Sequence, residues 1–270
     1  MSASTLLMLA SSAGGKTFFT TPKGVAYAAS FRAPEGIVSI AAVGAGGDGA
    51  SQAVTIKGSH GGGGGGCAYA NSVNVGAGTT ISVSISASGI ALVSVGATAL
   101  LRVRPGYPGN AGVSPGIGGD FDALPGVVGF LGQAGGYDTS ESGGVTIRPA
   151  GGGGGAGGLT SSGGPFGDGG ERGAYGNTQT VNRCFAAGGG GGNALLFSVA
   201  NDGTPGAPGS GGARAIQPVS FVGAGGNGAG YGGGGGVGGY DGTTIFNGGI
   251  GGAALIKIVW GGRTFPTNSA

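Results

Sequence analysis

Few residues in this chain have the types and spacing that chemistry requires, and each is weighed by its neighbours. Ala10-Ser11-Ser12-Ala13-Gly14-Gly15-Lys16-Thr17 satisfies a relaxed phosphate-loop pattern behind an apolar run. A phosphate loop needs its glycine turn to open a helix whose N-terminal amides hold the phosphate. Here Phe18-Phe19-Thr20-Thr21-Pro22-Lys23-Gly24 follows, which predicts a strand and a turn, and Ala10 replaces the leading glycine. Nucleotide binding is not expected. His60 is the only histidine, so any catalytic triad would have to use it, and its place before Gly61–Gly66 reads as a loop. Cys67 and Cys184 lie far apart and form no metal-ligand spacing, which argues against zinc. Buried free thiols are expected there, with a disulfide as the alternative. Asp120 and Asp122 read as a turn with no apolar pocket to perturb them. Matches to G-x-G-x-x-G recur, but at this glycine content chance produces them. No catalytic constellation emerges. The expectation is a protein that is not an enzyme, with no cofactor and no metal.

The elements that must carry any function are therefore the informative part. The chain has 270 residues, of which 75 are Gly, with 8% charged and 7% aromatic. So much glycine without a continuous collagen repeat usually signals disorder, which pairs low hydrophobicity with high net charge. This chain has the reverse balance, with a mean hydropathy of +0.24 and a net charge of +2. Glycine loses more backbone freedom on folding than any other residue. A folded state must recover that cost through close backbone approach and dense hydrogen bonding. The charges are spread without runs: residues 1–105 carry +4, residues 106–252 carry −4, and the remainder +2. No basic cluster is dense enough for nucleic acid. Thr5–Ala10 lacks the basic flank and length of a secretory signal, and no stretch approaches the roughly 20 apolar residues of a membrane span. Synthesis in the cytoplasm without a signal peptide, and no membrane insertion, are the expectations.

Residues 1–105 read as β-structure. Lys16–Thr21, Val25–Arg32 and Ile37–Val43 are rich in β-branched or aromatic residues and are parted by Pro-Lys-Gly and Pro-Glu-Gly turns. Thr79–Ser86 alternates strictly, with Ile81, Val83 and Ile85 on one side and serines on the other, as a half-buried strand does. Cys67–Val75 and Ile90–Val103 add strands. Together they predict a small β-rich, sandwich-like attachment domain.

From Gly106 to Gly252 the glycines acquire a local period of three. Gly126, Gly129, Gly132 and Gly135 show it, as do the runs Gly164–Gly176, Gly203–Gly212 and Gly230–Gly242. That period matches a left-handed extended helix of three residues per turn, rising about 3.1 Å per residue. Such a helix has no internal hydrogen bonds, so every peptide group needs a partner on a neighbouring segment. Gly151–Gly155, Gly188–Gly192 and Gly232–Gly236 suit interior positions. A bundle of polyglycine II helices is inferred, with almost no α-helix in the chain. Collagen shares the period but tolerates interruption poorly, and a flexible glycine linker is the other competitor.

Polar, aromatic-bearing segments separate the runs: residues 119–126, 137–148, 177–185, 213–222 and 240–247. They would be the turns of a back-and-forth bundle, gathered at its ends. The candidate receptor-binding residues are Tyr137, Asp138, Phe166, Tyr175, Arg183, Tyr240 and Phe246, against the plainer reading that the aromatics plug the bundle ends. Ala253–Trp260 reads as a strand that returns to pair with the first domain.

Two segments carry a resemblance. Phe31-Arg32-Ala33-Pro34-Glu35-Gly36-Ile37, entering the tract at Gly44, resembles the opening of glycine-rich phage tail-fibre proteins. Leu255-Ile256-Lys257-Ile258-Val259-Trp260-Gly261-Gly262-Arg263-Thr264-Phe265-Pro266-Thr267-Asn268 is similar to their terminus. The alternation of glycine tracts with divergent loops resembles the host-range adhesins of T-even-type phages. In those, stacked polyglycine helices display variable loops. The resemblance implies an adhesin in the virion, at a tail or tail-fibre tip, with residues 1–105 for attachment, 106–252 as the bundle and 253–270 returning. Its expected partners are a bacterial surface receptor (outer-membrane protein, pilus or glycan) and other tail or fibre proteins, with homo-oligomerisation left open. The competing reading is a structural component of the tail or fibre shaft that binds no receptor. An ice-binding protein is a weaker third, since irregular loops interrupt any flat face.

Overall fold

Alternating apolar residues and glycine-led turns build two antiparallel sheets. The computed structural model describes residues 14–51, 60–110, 114, 116–136, 141–142, 145–146, 153–154, 156, 224–228, 230–239 and 243–265. Among the described residues there is no α-helix. The strands are β1 (Gly15–Thr21), β2 (Tyr27–Arg32), β3 (Ile37–Val43), β4 (Cys67–Asn74), β5 (Thr80–Ile85), β6 (Ala91–Val95), β7 (Thr98–Val103), β8 (Val127–Phe130), β9 (Glu141–Ser142), β10 (Val145–Thr146) and β11 (Ala254–Trp260). One sheet runs β1-β11-β3-β4-β8 and the other β2-β5-β6-β7, while β9 and β10 pair with each other.

The two larger sheets share one hydrophobic core. Ile81, Val83 and Ile85 of β5 are buried in it, with Val93, Leu101 and Val103, against Ile40, Ala42, Ile256, Ile258 and Trp260 of the five-stranded sheet. Phe31 meets Trp260 with ring centroids 5.2 Å apart. The period-2 pattern of residues 79–86 thus sends its apolar side inward, as alternation requires. The stretch 90–103 is two strands, because Gly96 turns the chain at φ +55 and Val95 pairs with Thr98 across a two-residue hairpin.

The five-stranded sheet is buried on its second face as well, which is why β3 and β11 read as nearly continuous apolar runs. Ala41, Val43, Cys67, Leu255, Val259 and Phe265 form that cluster. Lys257 sits within it, fully buried. Its Nζ has no hydrogen-bond partner and lies 5.3 Å from the Phe18 ring centroid and 5.8 Å from that of Phe265. Burial, with Lys16 and Arg263 adding repulsion, pushes its pKa below the ordinary 10.5. The segment after β11 is tied across this face. Asn71 donates to the Phe265 carbonyl at 2.7 Å and accepts from the Phe265 amide at 2.8 Å, and Ser39 Oγ donates to the Arg263 carbonyl at 2.7 Å. A bulge makes this reach possible: Val38 pairs with Val73 and Ile40 with Ala70, so two residues, Asn71 and Ser72, oppose Ser39.

Several strands run directly into glycine segments that form no sheet. The segment His60–Gly66, which enters β4, shows the arrangement most fully. Gly61 and Gly64 donate to Gly136 and Gln133, Gly62 and Gly65 to Gly235 and Gly232, and Gly63 and Gly66 to Tyr107 and Arg104. Its carbonyls accept with the same period. His60, Gly63 and Gly66 receive from Ala50, Gly47 and Gly44; Gly61 and Gly64 receive from Gly116 and Gly119; Gly62 receives from Gly154. Each third residue therefore addresses the same neighbour, and the segment is hydrogen-bonded laterally on all sides. The partners come from both sides of the expected boundary at residue 105.

Two expectations for glycine-rich stretches meet different outcomes. Gly15-Lys16-Thr17 lies in β1, paired with β11, so no helix follows the phosphate-loop pattern. The triplet run starting at Gly126 begins as sheet, since β8 pairs with β4 before Gly132 and Gly135 join the lateral network. Two valines and Phe130 at the intervening positions favour the pleated strand there.

Candidate functional site

The glycine segments have two ends, and hydrogen bonds identify both. At one, Gly44, Gly66, Arg104, Asp120 and Ala253 adjoin the strands. At the other the chain reverses. Ala50 donates to His60 at 3.1 Å, Asn110 to Ser114 at 3.2 Å and Phe246 to Gly239 at 3.0 Å, while Gly238 donates to Ala50 and Gly61 to Gly136. These reversals share the end away from the sheets.

Of the seven residues expected at a receptor surface, Phe246 is within the described residues. It is half-buried beside its reversal, with Thr243, Thr244 and Ile245 exposed just before it. Tyr137, Asp138, Phe166, Tyr175, Arg183 and Tyr240 lie outside the described residues. Gly136 and Gly239 do lie at this end, and Tyr137 and Tyr240 follow them in the sequence. His60 is buried among the reversals, and burial pushes its imidazole pKa below 6.5, so the ring is held neutral at pH 7.

The end near the sheets carries a polar cluster that sequence reasoning passed over. Phe121 bridges Val103 in antiparallel fashion, so Asp120 and Asp122 are not a free turn but a short partner to β7. Arg104 donates through Nη1 to Asp120 Oδ1 at 2.8 Å and through Nη2 to Asp122, and Arg102 pairs with Asp122 at 3.3 Å. The Asp120 hydrogen bond, with Asp122 adding attraction, raises the Arg104 pKa above its ordinary value. Arg-Val-Arg and Asp-Phe-Asp share the two-residue spacing of one strand face, and that is the signal by which the cluster could have been found. Elsewhere, Asp48 joins the glycine segments to the first turn. It accepts from Lys23 Nζ at 2.5 Å and from the Gly251 amide at 2.8 Å.

No nucleophile stands beside a base in these clusters. Their chemistry is that of fixed donors, acceptors and apolar surface, which suits binding. No known protein family matches the chain, and no curated protein matches it.

Proposed function

We propose that the chain is a phage tail-fibre or tail-tip adhesin that recognises a bacterial surface receptor through the reversals at the far end of its glycine segments. In this reading the segments are polyglycine II-type helices, and the β-rich part attaches the protein to other tail or fibre proteins. One observation carries the reading: around His60–Gly66 each successive residue addresses a different neighbour and every third returns to the same one. A three-residue helix in lateral contact with its neighbours has this hydrogen-bond pattern, whereas an α-helix bonds within itself and a strand alternates by two. At about 3.1 Å per residue, the seven residues from Gly44 to Ala50 would extend about 20 Å. The sequence resemblance of residues 31–47 and 255–268 to tail-fibre proteins supports the same assignment.

The scaffold needs no particular side chain at the reversals, so residues there are free to vary and to bind. An outer-membrane protein, a pilus or a surface glycan would each fit such a surface. The test combines immunogold labelling of virions with adsorption competition by the purified protein. Label at the tail tip or fibre end, with competition weakened by Phe246→Ala, Tyr137→Ala and Tyr240→Ala, is the expected result. Label along a shaft, with no competition at any concentration, would replace the adhesin by a structural fibre component.

A further inference from the structure

An asparagine followed by glycine can cyclise on itself. The glycine nitrogen attacks the side-chain carbonyl carbon, and no Cβ on the glycine hinders the approach. The pairing occurs twice in this chain, at Asn227-Gly228 and Asn247-Gly248. Both asparagines are exposed and both glycines are half-buried, so access to water does not separate the two sites. Hydrogen bonding does.

At Asn227 both reacting groups are held. The Gly228 amide donates to the Ile250 carbonyl at 2.8 Å, and Asn227 Oδ1 accepts from the Ile250 amide at 2.8 Å. The attacking nitrogen is thus engaged, and the side chain is tied to the neighbouring segment. At Asn247 neither group is held. Among the described residues the Gly248 amide donates to no acceptor, and the Asn247 side chain has no hydrogen-bond partner. One bond resists rotation of the peptide between them, from the Gly225 amide to the Asn247 carbonyl at 2.9 Å. Each bond that must open lowers the population of the reactive geometry about fivefold to tenfold. Asn227 must open two and Asn247 one.

We propose that Asn247 is a site of spontaneous deamidation. The Gly248 nitrogen bonds to Asn247 Cγ and gives up its proton, while the Cγ–Nδ2 bond breaks and ammonia leaves. Water then opens the succinimide at either carbonyl, which yields aspartate or, with one extra main-chain methylene, isoaspartate. Solvent water is the only co-reactant. The surroundings have little room for the longer main chain. A Cβ on Gly248 would stand 2.8 Å from the Ala50 carbonyl oxygen and nearer still to that of Gly49. The modification is independent of the adhesin reading. A new carboxylate beside Phe246 would alter the far-end surface, and only that consequence rests on the reading.

The test ages the intact chain in mildly alkaline buffer and, in parallel, in urea, then maps its peptides by mass spectrometry. Aspartate and isoaspartate are read at both asparagines over time. In buffer Asn247 should convert about fivefold or more faster than Asn227. In urea, where the hydrogen bonds are gone, the two rates should converge. Conversion of Asn227 as fast as Asn247 in buffer would overturn the proposal. So would an Asn247 that stays intact in buffer while it converts in urea. A rate ratio that persists unchanged in urea would assign the difference to flanking residues and overturn it equally.

Discussion

Replacing Gly63 by Ala tests the lateral network directly. A Cβ there would stand 2.5 Å from the Ile117 carbonyl carbon, nearer still to its oxygen, and 2.9 Å from the Gly116 oxygen. Ordinary contact begins at 3.4 Å, so the neighbouring backbone must retreat by about 1 Å. That backbone is held by Gly116 to Gly61 at 3.0 Å, Gly119 to Gly64 at 2.7 Å and Tyr107 to Ile117 at 2.9 Å. A retreat of about 1 Å takes these bonds beyond useful length. Two or three lost at about 1–1.5 kcal/mol each amount to about 2–4 kcal/mol. Alanine returns only about 0.4–1 kcal/mol by restricting the unfolded chain. The net loss is about 2–3 kcal/mol, or a fall in melting temperature of about 5–10 °C. The control lies on the same segment: Ile117 is 68% exposed, so Ile117→Ala should shift stability by no more than about 0.5 kcal/mol. Urea and thermal melts of both variants give the comparison. A Gly63→Ala protein as stable as the parent would refute close lateral packing at this position.

Other outcomes follow from single features. Lys257→Met removes a buried amine without a hydrogen bond and keeps the side chain's length, so the urea midpoint should rise. The pH dependence has a definite sign. Because the folded pKa lies below 10.5, the unfolded chain binds the proton more readily, and stability climbs as pH rises from the folded pKa towards 10.5. Lys257→Met should lack that climb in melts run across alkaline pH. Asn71→Ala deletes both bonds to Phe265 and should cost about 1–3 kcal/mol, with Phe265 becoming more accessible to proteolysis around residues 261–265. Cys67, buried under this face, should resist a thiol reagent in native Cys184→Ser protein and react at once in urea. Rapid native labelling would mean that the second face opens readily.

The strands were legible because their signals are local. Ile37–Val43 carries its β-branched run between turn residues, and the alternation at Ile81, Val83 and Ile85 names its own buried side. The Gly96 hairpin within residues 90–103 was harder to see, since one glycine among so many draws no attention. The order β1-β11-β3-β4-β8 is not local, and pattern alone does not specify which strand lies beside which. The glycine runs announced their period, yet Gly44–Ala50 and His60–Gly66 were read with the β-rich part. Their hydrogen bonds to residues 104–107 and 232–235 appear only in three dimensions. Val127–Phe130 shows the opposite limit: glycine at every third position did not prevent a strand, because the residues between prefer one. The Arg102, Arg104, Asp120 and Asp122 cluster was visible as two spaced pairs, but its meeting depends on the bridge between Val103 and Phe121.

The position of β11 has a consequence for how the molecule is made. Trp260 pairs with Gly15 on one side and Val38 on the other, so the strand from the far part of the chain occupies the interior of the larger sheet. During translation β1 and β3 must wait, their inner edges unpaired, while the intervening residues leave the ribosome. Long-range pairing of this kind slows folding, and open apolar edges invite aggregation in the interval. A nascent chain stalled before residue 254 would leave the inner edges of β1 and β3 without their partner strand, so completion of the larger sheet waits on the synthesis of β11.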